Sequence, residues 1–513
     1  MVGMVLFIIG MVISLAAFSY SIYKSVNLVK DKRQTIRYDE YLMHIGISLC
    51  VFVVLFPLTL LSIYLWNSYT PTWQNYLQAI FGGLLFALSL GVGTDSFIIH
   101  YYKKGIPPKF DKALFTCLMV SIPLVVLSLF LWTDGFADMG GYHYLLPNGL
   151  SFSEGFVRPD GSARPNIAFY AICILSGAVF VYFLCDHKLY LEYGKHGTLD
   201  ATFLIAFPAG IIGARIAYAI GNWTVDGFDK DFMKIFRIWE GGLTILGGAI
   251  MGIVVGVLVY MKTNKDKSIW RAIDIIVPTI LLAQAIGRWG NFFNCEVHGG
   301  LVPEEYWGWL PRIVFNNAHY SDTHGWAVEG YLYAPLFFVE FLVNLFGYFV
   351  IAHLFGDRLK KILAPGDLAF SYIIWYGFTR VFMEPLRDAN YNMGEDGYWS
   401  WMWSLIFVGA GTLLIAINHI VRYVLNEKKK GEASFSIRSN NITISVLSPL
   451  AIGFMVSGII TMSLNQGGLA IALNPFNIGV ICLVVGISFL FLDAVAITEL
   501  IYKIRNNKQV ADA

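Results

Sequence analysis

Charged side chains are scarce in this sequence. Asp, Glu, Lys and Arg make up 14% of its 513 residues, against 57% hydrophobic and 16% aromatic positions. That is too little polar surface to solvate a globule of this size, so a water-soluble fold is excluded and the chain reads as an integral membrane protein. An excess of one charge sign is missing too. The formal net charge is +1, without the concentrated basic face that a nucleic-acid partner calls for. The six cysteines, at 50, 117, 173, 185, 295 and 482, include no CxxC pair, which argues against a disulfide framework and a zinc site. Nor are there two similar halves with paired broken helices, the cue for many transporters. Residues 2–23 carry neither a basic leader nor a convincing small-residue cleavage site and are expected to stay as a helix.

What the chain does have is long apolar runs. Segments of spanning length, roughly 18–25 residues, lie near 2–23, 43–66, 76–99, 113–132, 167–185, 199–221, 241–261, 272–291, 334–355, 366–383, 401–421, 441–464 and 474–502. The expectation is an all-α membrane protein of about thirteen transmembrane helices. Loop charge tests this independently, because cytoplasmic loops carry the Lys and Arg excess. Taking alternate loops, 26 of the 36 Lys and Arg fall on one side, seven fall on the other, and Arg215, Arg288 and Arg380 sit inside spans. This places the N-terminus outside and the C-terminus in the cytoplasm, with loops 133–166, 222–240 and 292–333 outside. Loop 292–333 is long enough to form a small head over the membrane.

The chain is organised around residues 287–299, Gly-Arg-Trp-Gly-Asn-Phe-Phe-Asn-Cys-Glu-Val-His-Gly, which follow a strongly apolar run. A guanidinium near a helix centre costs about 2.5–3.5 kcal/mol even on lenient scales, so Arg288 needs a partner or a cavity. Its planar fork suits a carboxylate or a phosphate, and Asn291, Asn294 and Glu296 add polar groups within about two turns. Farther on, Tyr376, Arg380, Glu384 and Arg387 are spaced i, i+4, i+8 and i+11, one helix face that should meet a polar cavity rather than lipid. Taken alone, these residues leave two readings open: an anion clamp, or buried Arg–Glu pairs that only hold helices together.

The run Gly-Arg-x-Gly-Asn-Phe-Phe-Asn-x-Glu-x-x-Gly resembles the signature of the prolipoprotein diacylglyceryl transferases, integral membrane enzymes of bacteria. Other stretches match the family pattern in order: Phe169-Tyr170, Gly213-Ala214-Arg215-Ile216-Ala217-Tyr218, Trp239-Glu240-Gly241-Gly242, and the segment from Tyr376 to Asp388. The resemblance covers roughly residues 150–425, a seven-helix core. It leaves unexplained four helices in 1–149, a basic cytoplasmic linker at 426–440 and two helices in 441–513. It implies a transferase at the outer face of a bacterial cell membrane. The diacylglyceryl group of phosphatidylglycerol would move to the lipobox cysteine thiol of a prolipoprotein signal peptide, releasing glycerol 1-phosphate, with no cofactor or metal. On this implication Arg288 and Arg380 hold and neutralise the lipid phosphate, while Asn291, Asn294 and Tyr376 orient it. Glu296 and Glu384 position the arginines, and Tyr170, Gly299, Arg387 and Glu340 complete the phospholipid site. The nucleophile belongs to the substrate, so Cys295 is incidental.

Two departures put parts of this in doubt. Where the family has a histidine thought to help deprotonate the thiol, this chain has Leu246, which cannot accept a proton. Either His298 substitutes as a catalytic group, or the field of the two arginines lowers the pKa of the incoming thiol. Where the family reads His-Pro-x-Gln-x-Tyr-Glu, residues 334–340 read Ala-Pro-Leu-Phe-Phe-Val-Glu and keep only Pro335 and Glu340. Asp274 matches a family acid but equally suits a helix cap at the cytoplasmic end. The losses leave an alternative: a paralogue that binds anionic phospholipid or lipoprotein without transfer.

Overall fold

The structure, a computed structural model, describes residues 2–30, 48–59, 73–103, 106–132, 148–151, 155–157, 167–224, 226–237, 242, 244–359, 363–391, 398–425, 437–463 and 475–511. With 43–47, 60–66, 241, 243, 464 and 474 outside the described residues, each span expected from the sequence overlaps a helix. They run α1 (Val2–Lys30), α2 (Ser48–Thr59), α3 (Trp73–Tyr102), α4 (Pro108–Trp132), α5 (Phe169–Tyr193), α6 (Asp200–Gly221), α7 (Ile245–Thr263) and α8 (Ile269–Asn294). After the short α9 (Arg312–Asn317) come α10 (Leu336–Tyr348), α11 (Asp367–Met383), α12 (Tyr398–Val424), α13 (Ile437–Ser463) and α14 (Pro475–Ala511). Ten helices among the described residues are long and apolar enough to cross a membrane, and the strands form only two- and three-stranded sheets, so the chain is an all-α multi-pass membrane protein. The Trp239-Glu240-Gly241 part of one motif, Arg158, Arg164 and the linker residues 426–436 lie outside the described residues.

Two compact units divide the chain, 181–277 and the remainder. In the smaller, α6 and α7 meet on glycine. A Cβ on Gly213 would come 2.8 Å from the Gly247 carbonyl oxygen, and one on Gly247 would come 2.7 Å from the Gly213 carbonyl oxygen. Small residues let backbones touch, which matters in lipid, where burying apolar area gives no net drive to associate. Arg215, buried on α6, spends its guanidinium on backbone. It donates from Nε to the Ile235 carbonyl at 3.0 Å and from Nη1 to that of Gly242 at 3.1 Å. Nη2 donates to the carbonyls of Lys234 and Arg237 at 2.6 and 3.1 Å. The family-like Gly-x-Arg segment thus ties down the loop that follows its own helix.

In the larger unit, Asp95 on α3 accepts from Ser21 and Ser25 on α1 at 2.6 Å each, which joins two of the helices ahead of the family-like core. An aromatic cluster runs from Phe52 and Phe56 on α2 through Phe169 on α5 to Phe292 and Phe293 on α8 and Phe337 on α10. On α14, Val480, Ile481 and Val484 pack against Val381, Trp401 and Leu405 of α11 and α12. Helix α11 opens after Gly366, at φ +106°, with the Asp367 carboxylate accepting from the Ala364 amide at 2.7 Å and from Asn418 of α12 at 2.8 Å. It closes where Pro385 removes a backbone donor.

Between α8 and α10 the expected head forms. Strand β4 (Leu301–Pro303) pairs antiparallel with β7 (Tyr331–Tyr333), and β5 (Tyr320–Ser321) with β6 (Gly325–Trp326). A third small sheet, ahead of α5, sets β1 (Gly149–Ser151) between β2 (Gly155–Val157) and β3 (Ile167–Ala168). Overpacking a close contact costs about 1–3 kcal/mol, so Gly213→Leu should lower the thermal unfolding midpoint of the detergent-solubilised protein. An unchanged midpoint would show that α6 and α7 do not rely on backbone contact there.

Candidate active site

Helices α8, α10 and α11 each carry charge into one cleft, whose walls include Arg288, Glu340, Tyr376 and Arg380. All three charges sit within two turns of the helix ends that lead to the head or to the turn after α11. The hub is Glu340, 5% exposed. One of its oxygens pairs with Arg288 Nη2. The other accepts from Arg387 Nη2 at 2.9 Å and lies 3.5 Å from Arg380 Nη1. Arg380 donates to Glu384 at 2.7 Å, and its guanidinium stands over the Tyr376 ring at 5.4 Å. Three guanidiniums therefore face two carboxylates, Glu340 and Glu384, in a site largely closed to water. Such a wall attracts one further anion, since desolvated charges interact far more strongly than exposed ones.

The signature's polar residues form an outer layer on this cluster. Arg288 Nη1 donates to Asn291 Oδ1 at 3.1 Å, and Asn291 Nδ2 donates to Glu296 at 2.8 Å. Asn294 supplies a second donor to the same Glu296 oxygen at 3.2 Å. Glu296 reaches back because the chain reverses right after α8, with Cys295 at φ +54° and Val297 at φ +59°. A left-handed β-branched residue costs of order 1–2 kcal/mol, and the turn is held by Asn317, which donates to the Phe292 carbonyl at 2.8 Å. Burial raises the Glu296 carboxyl above the ordinary range against the pull of the two asparagine donors. Burial also pushes the Cys295 thiol up to about 12, which leaves it inert. Tyr170, on α5, lies against the signature helix, where a Cβ on Gly290 would come 2.5 Å from its ring.

Gly299 and His298 do a different job. Gly299 donates its amide to the Ala334 carbonyl at 2.8 Å and bridges to Arg387, and a Cβ there would meet the Leu386 carbonyl oxygen at 2.6 Å. Only a glycine lets the turn carrying Arg387 approach this closely. His298, 5% exposed, has both ring nitrogens engaged: Nδ1 with the Gly299 carbonyl at 2.9 Å and Nε2 with Ser321 Oγ at 2.6 Å. Burial lowers its pKa, which favours the neutral ring, so Nδ1 donates and Nε2 accepts. Its carbonyl accepts from the Asp388 amide at 3.1 Å, while the Asp388 carboxylate pairs with His324 at 2.8 Å. His298 does not line the cleft; it holds the turn that presents Arg387.

The structure thus brings together Arg288, Arg380, Tyr376, Glu340, Glu384 and Arg387, and places Asn291, Asn294 and Glu296 one layer behind. Glu296 positions Arg288 only through Asn291, and the direct partner is Glu340, from the stretch that departs most from the family pattern. Sequence reasoning did not single out Gln284, Asn344 and Thr379, which also line the cleft. The signal available was their helical spacing from Arg288, Glu340 and Tyr376.

Two variants test this construction. Removing one partner of a buried charge cluster costs about 3–5 kcal/mol, so Glu340→Gln should lower the unfolding midpoint far more than Glu305→Gln on the head surface; equal effects would remove Glu340 as the hub. For Glu296 the folded pKa is raised, so its contribution to stability is present below about pH 4, the unfolded carboxyl range, and is lost as pH rises through the folded value. Glu296→Gln keeps the acceptor for both asparagines. It should therefore be more stable than the parent near neutral pH and equal to it in acid, as thermal melts across pH will report.

Comparisons with known proteins bear on the same residues. A family model described as prolipoprotein diacylglyceryl transferase matches residues 163–417. A Clostridium botulinum protein is 36% identical over 229 residues, 45% of this chain and 84% of its own length. One from Ligilactobacillus salivarius is 33% identical over 254 residues, 48% of this chain and 87% of its own. One from Streptococcus pneumoniae is 32% identical over 266 residues, 52% and 95% respectively. All three are named phosphatidylglycerol–prolipoprotein diacylglyceryl transferase.

Proposed function

The chain belongs to the prolipoprotein diacylglyceryl transferase family, and we propose from that premise that its cleft moves the diacylglyceryl group of phosphatidylglycerol onto the lipobox cysteine of a prolipoprotein. The observation that carries the reading is the gathering of Arg288, Arg380 and Arg387 around one buried carboxylate within spanning helices. A lipid phosphate is the anion a membrane supplies at that depth.

In the reaction the substrate thiol sulfur attacks the glycerol carbon that bears the phosphate. The S–C bond forms as the C–O bond breaks, and the electron pair leaves with the phosphate oxygen as glycerol 1-phosphate. Charge grows on that oxygen, and Arg288 and Arg380 stabilise it where little water competes. Tyr376 orients the phosphate from the cleft wall and Asn291 holds the Arg288 fork from behind, while Glu340 and Glu384 aim the guanidiniums. Asn294 and Glu296 hold Asn291, and Tyr170 backs the signature helix. No side chain is needed to balance the proton, because a phosphomonoester has a second pKa of about 6 and can carry it away. The same guanidiniums favour the thiolate, so Leu246 is compatible with transfer. His298 enters as a strut for Arg387 rather than as the base. The reading also sets the head and the N-terminus on the outer side of a bacterial cell membrane and the C-terminus in the cytoplasm, where exported precursors can reach the cleft from outside.

Arg288→Lys keeps the charge and loses the fork. Losing one preorganised donor to a developing oxyanion costs about 10²–10³ in rate, so transfer of labelled diacylglycerol from phosphatidylglycerol to a lipobox peptide should fall by that factor. Undiminished transfer would remove Arg288 from the phosphate clamp.

A further inference from the structure

The cleft has a second polar tier, of which the clamp uses only Tyr376. Each charged residue has an uncharged polar one a single turn farther into the membrane: Gln284 before Arg288 on α8, Asn344 after Glu340 on α10, and Tyr376 before Arg380 on α11. Four residues at 1.5 Å each put this tier about 6 Å deeper. Gln284 Nε2 bonds the Tyr372 hydroxyl at 3.1 Å, and Gln284 Oε1 is buried without a partner. Turning the amide over lets Tyr372 donate to Oε1 and leaves the Nε2 donors unused, since amide oxygen and nitrogen are interchangeable in such a site. Asn344 is 9% exposed, and among the described residues its side chain makes no hydrogen bond. Two amides, Asn344 buried and Gln284 partly buried, therefore line the same wall with capacity to spare. Val343 and Met383 make the neighbouring lining apolar.

We propose that Gln284 and Asn344 bind the ester carbonyls of the diacylglyceryl group. This rests on the transferase reading of the same cleft. In a phosphoglyceride the ester carbonyls lie a few bonds on the acyl side of the phosphate, comparable to one helical turn, whereas the headgroup glycerol lies on the water side. An ester carbonyl only accepts hydrogen bonds, and the amides supply the donors. Unsatisfied polar groups in a spanning segment are costly, so the ligand that fills this tier must bring acceptors to membrane depth. The two tiers then hold opposite sides of the bond that breaks. The arginines keep the phosphate that leaves, and the amides keep the glyceryl group that is transferred.

The test compares diacyl phosphatidylglycerol with its dialkyl ether analogue, which lacks only the carbonyls. Binding to the purified full-length protein and transfer to a lipobox peptide are both read. The parent should bind the diacyl lipid about 10-fold tighter, the factor two neutral hydrogen bonds can supply. Asn344→Leu and Gln284→Leu should each shrink that preference toward about 3-fold, and still bind soluble glycerol 1-phosphate as the parent does, which shows the clamp folded. Equal binding of the two lipids by the parent would overturn the ester subsite. So would a preference that survives both substitutions. A carbonyl-dependent preference in binding with no transfer from either lipid would support the subsite and overturn the transferase reading instead.

Discussion

One buried carboxylate, Glu340, is the constraint on which the site depends. Arginines from α8, from α11 and from the turn after α11 converge on it, and none of the three would be stable at that depth alone. The carboxylate gathers the three guanidiniums, and with Glu384 the cluster holds three guanidiniums against two acids. Of the two readings that the isolated sequence leaves open, structural pair and anion clamp, the pairing is what these contacts display, and the clamp is the proposed use of the same guanidiniums.

Much of the remaining structure keeps that geometry. The strained turn at Cys295 and Val297 folds Glu296 under Asn291, which fixes the Arg288 fork from behind. Gly299 lets the Arg387 turn press against the head, and His298, Ser321, His324 and Asp388 secure it with neutral and charged hydrogen bonds. The flanking helices add packing. Phe52 and Phe56 join the aromatic cluster around Phe292 and Phe293, and α14 buttresses α11 and α12 through Val480, Ile481 and Val484. In a bilayer such shape-matched contacts are what hold helices in place, because lipid tails offer no apolar penalty to escape.

Arg215 shows that a guanidinium inside a spanning helix has structural uses too. The motif around it resembles that of a lipid-transferring family. Its guanidinium donates to the backbone carbonyls of Lys234, Ile235, Arg237 and Gly242, groups that need partners once buried. His298 is a parallel case: an imidazole inside the signature that turns out to bear on the position of a neighbour.

The sequence by itself determined that the chain spans a membrane repeatedly, where its helices lie, and which residues could meet an anion, because those properties follow from runs of apolar residues and from the cost of charge in lipid. The signature turn and the i, i+4 stripe from Tyr376 to Arg387 were legible for the same reason: local spacing sets which side chains share a face. What only the tertiary structure decided is which charge answers which. That Glu340 rather than Glu296 pairs Arg288 directly, that His298 is bonded within the head rather than lining the cleft, and that Gln284 and Asn344 line one cleft with the arginines depend on how elements distant in sequence are brought together. No local pattern carries that information.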